Sequence, residues 1–319
     1  DAGLFLTNLK VRGWLDYETL SKIRSDVIIV TLTGDRHGKP QVDYTVNPAL
    51  GIPDITGHEG SVDPVANAIP AWDMIAGNMC VSSLLAAERY RLRHGVGQDV
   101  EIALKDVASA AIGHLGMIAD TTLNTDDRTK AGNSLYGAYG KDFLCADGNR
   151  VMIIGLTSRQ WTGIVKATDT AEQFKQLEMQ NNINLQDESI RWKWRHAITE
   201  IIEPWFKTRK VEDFASNFDK TGVTWSVFRS VREALDFDPD LTEDNPLFKK
   251  ILQPDAGEFL VPKHPANFSK VENSDPTAAP ILGEHTEEIL GDVLNLSDIE
   301  VSNLFDNGVV ASPSFQKNK

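Results

Sequence analysis

A single carboxylate, Asp73, stands where an apolar segment changes into a long helical pattern. Residues 69–78 have the sequence Ile-Pro-Ala-Trp-Asp-Met-Ile-Ala-Gly-Asn, and small or apolar residues predominate up to residue 87. Pro70 suits the first turn of a helix, and the helix dipole favours a negative charge in that turn. The pattern therefore predicts a positioned carboxylate, with a helix cap or an ordinary first-turn acid as the simplest explanation.

Polar residues also follow a short apolar strand near the start of the sequence. Residues 3–8 are Gly-Leu-Phe-Leu-Thr-Asn, and Leu9, Lys10 and Arg12 come next. Because ligands bind outside the carboxyl ends of parallel strands, an asparagine and two cations there are placed for a ligand contact. A polar turn with two solvated cations is the alternative. The loop at 33–40 lacks the glycine spacing of a P-loop.

The elements that must position these side chains are those of a parallel α/β sheet. Residues 26–34 form the continuous β-branched run that a buried parallel strand requires, and residues 16–24 form a short amphipathic helix before it. Strand, helix and strand predict a right-handed βαβ unit. The long helix that starts at Pro70 is predicted to end at Gly95, and residues 99–104 alternate like a strand.

A smaller α+β region is predicted after residue 125. Residues 147–150 have the composition of a hairpin turn, and residues 188–207 form a long helical pattern that Pro204 interrupts. A further strand is expected at 223–227. The proline-rich segment 254–280 predicts an extended, loop-like return connection.

Composition argues against several classes of function. The 319 residues include 32 Lys and Arg against 46 Asp and Glu, a net charge of −14, which disfavours nucleic acid and anionic membrane surfaces as partners. No apolar run approaches the roughly 20 residues of a membrane-spanning helix. Cys80 and Cys145 lie far apart and show no metal-ligand spacing, so we expect no metal site and a reducing, cytoplasmic location.

Three separated motifs resemble the class III CoA-transferase family, also called the CaiB/BaiF family. In that family the aspartate equivalent to Asp73 is the nucleophile that carries acyl groups as a mixed anhydride, so the resemblance implies this role here. The substrate would then be an acyl-CoA, with CoA as part of the substrate and no permanently bound cofactor. The motifs are Asp73 with Gly77 and Ala-Ala-Glu-Arg at 86–89, Gly-Val-Gly-Gln-Asp-Val-Glu-Ile-Ala-Leu-Lys-Asp at 95–106, and Pro-Ile-Leu-Gly-Glu-His-Thr at 280–286.

The resemblance also implies a fold and an assembly. It predicts an α/β protein with a Rossmann-like parallel-sheet large domain built from both chain ends, a smaller α+β domain and an interlocked homodimer. The expected division is 1–125 for the large CoA-binding domain, 126–250 for the small domain, and 251–319 for the return linker and the rest of the large domain. Relative to the family fold, this sequence is expected to lack the first strands and helices of the nucleotide-binding half.

The same resemblance assigns binding residues. It implies CoA contacts after the first strand and near the CoA thiol, and a glycine-rich substrate loop at 131–142, for which a plain linker is the alternative. Backbone amides near the Asp73 helix start or in this glycine-rich segment are expected to stabilise the oxyanion. The assigned residues are Asn8, Leu9, Lys10 and Arg12 after the strand, Val42, Asp43 and Tyr44 near the thiol, and Tyr136, Gly137 and Tyr139 in the loop.

Within the family, Val42 separates two activities. The α-methylacyl-CoA racemases resemble this chain but have a histidine directly before the acid at position 43, and a racemase needs a proton donor on each face of its substrate. The narrower likeness is to members that move CoA between the two carboxyl groups of one molecule of mesaconate. An intermolecular transferase that uses a separate acid such as succinate, and an inactive CoA-binding protein, remain alternatives.

Overall fold

The computed structural model describes residues 3–11 and 13–313, and its backbone divides into two units, residues 1–227 and 228–319. The described part of the first unit contains β1 (Leu4–Thr7), α1 (Tyr17–Ile23), β2 (Ile28–Thr33), α2 (Asp43–Ala49), α3 (Ile52–Ile55), α4 (Ala71–His94), β3 (Gln98–Ala103), α5 (Leu104–His114), α6 (Met117–Leu123), β4 (Tyr139–Leu144), β5 (Arg150–Gly155), α7 (Ser158–Thr168), α8 (Ala171–Asn181), α9 (Glu188–Lys193), α10 (Arg195–Lys207), α11 (Val211–Thr221) and β6 (Thr224–Val227).

The first sheet is parallel and has the strand order β1-β2-β3. Leu4 pairs with Ile28 across the first two strands, and Val30 pairs with Val100 across the next two. Ile28 and Val30 are fully buried, because helices cover β2. The predicted α/β fold with a parallel sheet is confirmed.

Helix α4 joins β2 to β3 in this sheet. It starts directly after Pro70 and ends at Gly95, which has a φ of 73° and donates its N–H to the carbonyl of Arg91 at 2.7 Å. A left-handed backbone at this position favours glycine, so the sequence defines both ends of the helix. Trp72 and Ala76 pack into the core beneath the sheet, where α4 contacts β2, β3 and α5.

The second sheet is antiparallel, with the order β4-β5-β6. The predicted turn at 147–150 connects β4 to β5 as a hairpin, and β6 lies at the predicted third strand. An aromatic core backs this sheet: the rings of Phe143 and Phe206 stack with centroids 4.6 Å apart, and Trp161 lies edge-on to Tyr139. Trp161 lies on α7 and Phe206 lies on α10, so these two helices pack against the sheet through their aromatic side chains.

The predicted single helix at 188–207 is wrong, because Trp194 separates α9 from α10. The buried guanidinium of Arg191 holds α9 by donating to the carbonyls of Gly155, Leu185 and Leu156 at 2.7–3.1 Å. Pro204, the predicted interruption, lies inside α10. The break therefore lies where α9 is anchored to the end of β5 rather than at the proline.

A buried lysine fixes the connection that leads to α4. The ammonium of Lys130 donates to the carbonyls of Thr56 at 2.8 Å and Asp63 at 2.6 Å, and a longer contact of 3.4 Å reaches Pro53. Backbone carbonyls in a loop need donors when they are buried. Lys130 supplies three such contacts at once and so restrains the segment between α3 and α4.

The described part of the second unit contains α12 (Val231–Phe237), a 3₁₀ turn (Pro239–Leu241), β7 (Phe248–Gln253), β8 (Gly257–Pro262), α13 (Thr286–Glu288), a π-helical turn (Ile289–Val293) and α14 (Asp298–Asp306). Strands β7 and β8 form an antiparallel hairpin, so the predicted loop at 254–280 is wrong for residues 257–262. Lys249 and Lys263 together lower the pKa of Asp275 to about 2. The predicted three-part domain division stays a prediction.

Candidate functional site

A cleft of about 670 Å³ lies at the carboxyl ends of the parallel strands. Residues that directly follow or end β1, β2 and β3 contribute to its wall, which is where the sheet topology predicts a ligand. Asp73 lies on the same wall, so the structure brings the candidate carboxylate and the predicted strand-end residues together. The lining residues are Asn8, Lys10, Leu32, Thr33, Gly34, Gly38, Lys39, Pro40, Gln41, Val42, Thr45, Asp73 and Leu104.

Asp73 occupies the first turn of α4, as predicted. Its side chain is open to the cleft, yet partial desolvation raises its pKa, and the nearby carboxylate of Asp43 raises the pKa further. Both effects oppose ionisation. Asp73 is thus an accessible carboxylate whose charged form is less favoured than that of a free aspartate.

Asp43 lies behind the cleft and caps the helix that carries Asp73. Its Oδ2 accepts the backbone N–H of Trp72 at 2.7 Å and that of Asp73 at 3.3 Å, while the side chain is only 1% exposed. Pro70 has no side chain that could cap α4, so an acid 30 positions earlier in the chain does so. Oδ1 of Asp43 has no hydrogen-bond partner among the described residues.

Asn47 provides a second link between α2 and α4. Its Oδ1 accepts the indole N–H of Trp72 at 3.0 Å, and both side chains are buried. Asn47 lies one helical turn after Asp43, so the two residues face α4 from the same side of α2. Trp72 is therefore held by its backbone and by its side chain, directly beside Asp73.

The amides at the start of α4 are already hydrogen-bonded. The N–H of Ala71 bonds to the carbonyl of Ile69, the N–H of Met74 bonds to the carbonyl of Pro70, and the two N–H groups between them bond to Asp43. These four amides therefore already have acceptors in this structure. The expectation that backbone amides near the helix start or in the glycine-rich segment stabilise the oxyanion stays a prediction.

The strand-end residues are only partly at the cleft. Asn8 and Lys10 line it, and the ammonium of Lys10 also pairs with the carboxylate of Glu101 at 2.6 Å. Leu9 is largely exposed and borders a smaller neighbouring pocket instead. Arg12 lies outside the described residues.

The residues expected near the thiol are also only partly at the cleft. Val42 lines the cleft, at the position where a racemase would have histidine. Tyr44 is 55% exposed and is not among the residues that line the cleft. Asp43, between them, faces α4 as described.

The predicted substrate loop is not at this cleft. Tyr139 is the first residue of β4, is buried in the aromatic core and bonds to the hydroxyl of Thr199 at 3.1 Å, so it is a core residue rather than a loop residue. Its burial raises the pKa of its hydroxyl. Tyr136 lies under the guanidinium of Arg128, 3.6 Å from the ring centroid, and Gly137 follows with a φ of 82°.

Sequence reasoning missed the loop that closes one side of the cleft. Lys39 and Gln41 line the cleft, and Oδ1 of Asp35 organises their loop by accepting the N–H groups of His37 and Lys39 at 2.8–2.9 Å. A Cβ on Gly34 would lie 2.3 Å from the backbone N of Gln41, so the loop packs directly on this glycine. The sequence signal is the Gly-Asp-Arg-His-Gly-Lys run at 34–39, which predicts a loop but not its place at the cleft.

The family model that matches this sequence is CoA-transferase family III, over residues 5–286. The chain belongs to CoA-transferase family III. A relative from the same family, the 2-methylfumaryl-CoA isomerase of Chloroflexus aurantiacus, is 48% identical over 98% of this chain and 76% of its own length. The succinyl-CoA:glutarate CoA-transferase of Mus musculus is 23% identical over 93% of this chain and 66% of its own length. The chain thus spans 66–76% of the length of these relatives.

Solved structures of the family share the fold. A CaiB/BaiF family protein from Brucella suis superposes with a TM-score of 0.69 at 22% identity, covering 91% of this chain and 75% of that protein. A protein from M. tuberculosis superposes with a TM-score of 0.67 at 17% identity, covering 87% and 76%. Among residues 3–11 and 13–313, no helix is long and apolar enough to span a bilayer.

Proposed function

We propose that the protein is an intramolecular CoA-transferase that moves CoA between the two carboxyl groups of mesaconate, the activity of a 2-methylfumaryl-CoA isomerase. The observation that carries the proposal is the 48% identity to such an isomerase over nearly the whole chain. The position of Asp73 in the cleft at the carboxyl ends of the sheet supports it. Coenzyme A is then part of the substrate rather than a resident cofactor.

The proposed chemistry is covalent catalysis by Asp73. The Asp73 carboxylate attacks the thioester carbonyl carbon and the C–S bond breaks, so that a mixed anhydride forms between Asp73 and the acyl group and CoA leaves as a thiolate. The thiolate attacks the aspartyl carbonyl and releases mesaconate, which leaves a thioester between Asp73 and CoA. The other carboxylate of mesaconate attacks this thioester, and the thiolate then attacks the acyl carbon of the new anhydride. These steps regenerate Asp73 and require no net proton transfer.

The site supports this route in two ways. The carboxylate of Asp73 faces the cleft while its backbone N–H bonds to Asp43, so the side chain is free to react and its helix is held. Lys10 and Lys39 supply positive charge on the cleft wall, which an anionic substrate needs in a protein with a net charge of −14. We propose that Asn8, Lys10 and Val42 contact the CoA ester.

Replacement of the nucleophile tests the proposal. Asp73→Ala is expected to abolish conversion of 2-methylfumaryl-CoA into its isomer, since Asp73 is the only carboxylate that lines the cleft among the described residues. Binding of the CoA ester and the folded structure are expected to persist, because one first-turn charge contributes only about 0.3–1 kcal/mol to helix stability. Chromatographic separation of the two thioester isomers measures the reaction. Wild-type turnover by the variant would overturn the assignment.

An isotope experiment separates this function from its alternatives. In deuterated water with labelled free mesaconate, the enzyme is expected to place neither label in the product. Deuterium should not enter because Val42 provides no second base for proton exchange. Labelled mesaconate should not enter because intramolecular capture of the retained diacid has an effective concentration of about 10⁵ M or more. Deuterium in the acyl chain would indicate a racemase. Efficient entry of labelled mesaconate, or of labelled succinate, would indicate an intermolecular transferase.

We also propose that the protein acts as a homodimer in a reducing, cytoplasmic compartment. Exposed apolar side chains along α4, including Met74, Val81 and Leu85, support an assembly because they need a covering surface. Two free cysteines, Cys80 and Cys145, support a reducing compartment. The proposed domain division is the one that the sequence predicts, with residues 251–319 returning to the large domain.

A further inference from the structure

We propose that Asn47 is a positioning residue for Asp73 and acts through the indole of Trp72. This inference rests on the proposed role of Asp73 as nucleophile. It adds a residue that, in the described part of the chain, does not line the cleft and bonds to Trp72 rather than to the reacting carboxylate. Its effect passes through the side chain of the residue that directly precedes Asp73.

The geometry gives the first turn of α4 two attachments to α2. Asp43 holds the backbone N–H of Trp72 at 2.7 Å, and Asn47 holds its indole N–H at 3.0 Å. The bonds to Asp43 hold the first turn at the backbone of Trp72 and Asp73. The bond to Asn47 holds the same turn at a second point, the tip of the Trp72 side chain, and so opposes a tilt of the turn about the Asp43 bonds.

Stability alone does not explain an asparagine at this position. Asn47 is only 1% exposed, and its Nδ2 has no partner among the described residues, so its burial leaves a donor unsatisfied. Burying an unpaired polar group costs free energy, and two well-packed apolar side chains would avoid that cost. A hydrogen bond, unlike apolar packing, is directional, and direction is what a reacting carboxylate requires.

Orientation matters strongly for the proposed reaction. Asp73 has to bring its carboxylate to within about 3–3.5 Å of a carbonyl carbon in a near-attack geometry. It has to do so for both ends of the same diacid. A rotation of the first turn that shifts the carboxylate by about 1 Å is expected to lower the rate by up to about 100-fold.

The test is a double-mutant cycle with Asn47→Leu and Trp72→Phe, assayed with 2-methylfumaryl-CoA. Each single variant is expected to lower kcat by about 10- to 100-fold, with KM within about twofold of wild type. The double variant is expected to have the same kcat as the singles, because each single variant already removes the bond between Asn47 and Trp72; the longer contact of Asn67 with Asn47, at 3.5 Å, is lost only with Asn47→Leu. Its Tm is expected to recover toward wild type, because no unpaired group remains at that bond.

Trp225→Phe is the matched control. Trp225 donates its indole N–H to Asp219 at 2.9 Å on the second sheet, so this variant removes the same kind of bond at a place remote from the cleft in sequence and sheet. It is expected to keep wild-type kcat. A loss of kcat in this control equal to that in Trp72→Phe would contradict a specific role for Asn47.

Two further results would overturn the inference. If the double variant regained wild-type kcat along with its Tm, the bond would be purely structural. If the two single losses multiplied, Asn47 and Trp72 would act separately. Asp73→Ala distinguishes this inference from the proposed function: an inactive Asp73→Ala beside a fully active Asn47→Leu would refute only the role of Asn47, whereas an active Asp73→Ala would refute the function itself.

Discussion

Asp73 needs a negative charge in surroundings that oppose that charge. Partial desolvation is the main cause of its raised pKa, and the carboxylate of Asp43 adds to it. Asp43 nevertheless has to be there, because it caps the helix that presents Asp73. Asp43 therefore holds the helix that presents Asp73, but its charge also raises the pKa of Asp73. Isosteric substitutions can separate these two effects.

The electrostatic cost predicts the effect of Asp73→Asn on stability. The pKa of Asp73 is higher in the folded protein than in the unfolded chain, so its ionised form lowers stability at neutral pH, and this loss disappears as pH falls below about 3.9. The variant is expected to raise Tm only slightly at pH 7, because the side chain is exposed and the lost helix-dipole interaction offsets part of the gain, and to have little effect at pH 3. Calorimetry at both pH values measures this difference.

Asp26→Asn provides a control of opposite sign. The guanidinium of Arg24 lowers the pKa of Asp26, so the ionised form of Asp26 stabilises the folded protein above about pH 3.9. This variant is expected to lower Tm at pH 7. A fall in Tm for Asp73→Asn at pH 7 would contradict the account of Asp73.

Asp43→Asn separates charge from capping. The amide oxygen can still accept the two N–H groups, but the negative charge beside Asp73 is gone. The pKa of Asp73 is therefore expected to fall, and the acid limb of the kcat–pH profile to move to lower pH. At pH 7, kcat is expected to fall several-fold, because a neutral acceptor caps more weakly than a carboxylate. An acid limb that moved to higher pH would show that Asp43 does not act on the charge of Asp73.

At the scale of elements, the site depends on how closely a loop approaches the end of a strand. Gly34 directly follows β2, and the backbone of Lys39 and Gln41 lies against it with no room for a side chain. The same glycine accepts the N–H of Lys105, so it also connects β2 to the start of α5. One residue without a side chain therefore joins three elements around the cleft.

A pair of glycine substitutions tests this packing. In Gly34→Ala the new Cβ would lie 2.3 Å from Gln41 N and 2.5 Å from the carbonyl oxygen of Lys39, so the loop has to move. We expect a loss of about 1–3 kcal/mol in the free energy of unfolding and weaker binding of the CoA ester. Gly77→Ala, inside α4, meets no atom within 4 Å and is expected to add up to about 1 kcal/mol. Denaturant unfolding measures both; equal effects would contradict the packing argument.

The sequence predicted the elements that are determined by residues close together in the chain. Pro70 and Gly95 marked the ends of α4, and the β-branched run at 26–34 marked a buried parallel strand. The capping of α4 by Asp43 was not predictable, because it joins residues 30 positions apart. The glycine-rich sequence around Tyr139 predicts a loop. Only the pairing of β4 with β5 shows that this side chain enters a core.

At the scale of the whole molecule, net charge and exposed apolar surface have opposite effects on the association of chains. A net charge of −14 keeps copies of the chain apart, whereas apolar residues on one face of a long helix favour association. The family resemblance implies an interlocked dimer, for which burial of such surface would outweigh the repulsion. Salt, which screens the charges, is therefore expected to favour the dimer.

A charge on α4 tests the proposed assembly. Leu85 is 57% exposed, and Leu85→Glu is expected to lower the fraction of dimer that forms on refolding at micromolar concentration, as measured by sedimentation velocity. Met179→Glu on α8, where the side chain is also exposed, serves as the control and is expected to remain dimeric. Monomeric wild-type protein would contradict the proposed homodimer.

The two bonds that hold Trp72 to α2 also close a ring of backbone between residues 47 and 72. Lys130 restrains part of this ring through the carbonyls of Thr56 and Asp63. Because the ring is closed beside the nucleophile, its outer part can change in length without moving Asp73, and doubling a flexible loop costs only about 0.6 kcal/mol. The stretch 64–68 lies between the Lys130 contacts and the helix start, where Val65 donates its N–H to the carbonyl of Pro53 and the side-chain amide of Asn67 reaches Asn47, so a substrate-recognition segment grafted there would have to keep both contacts.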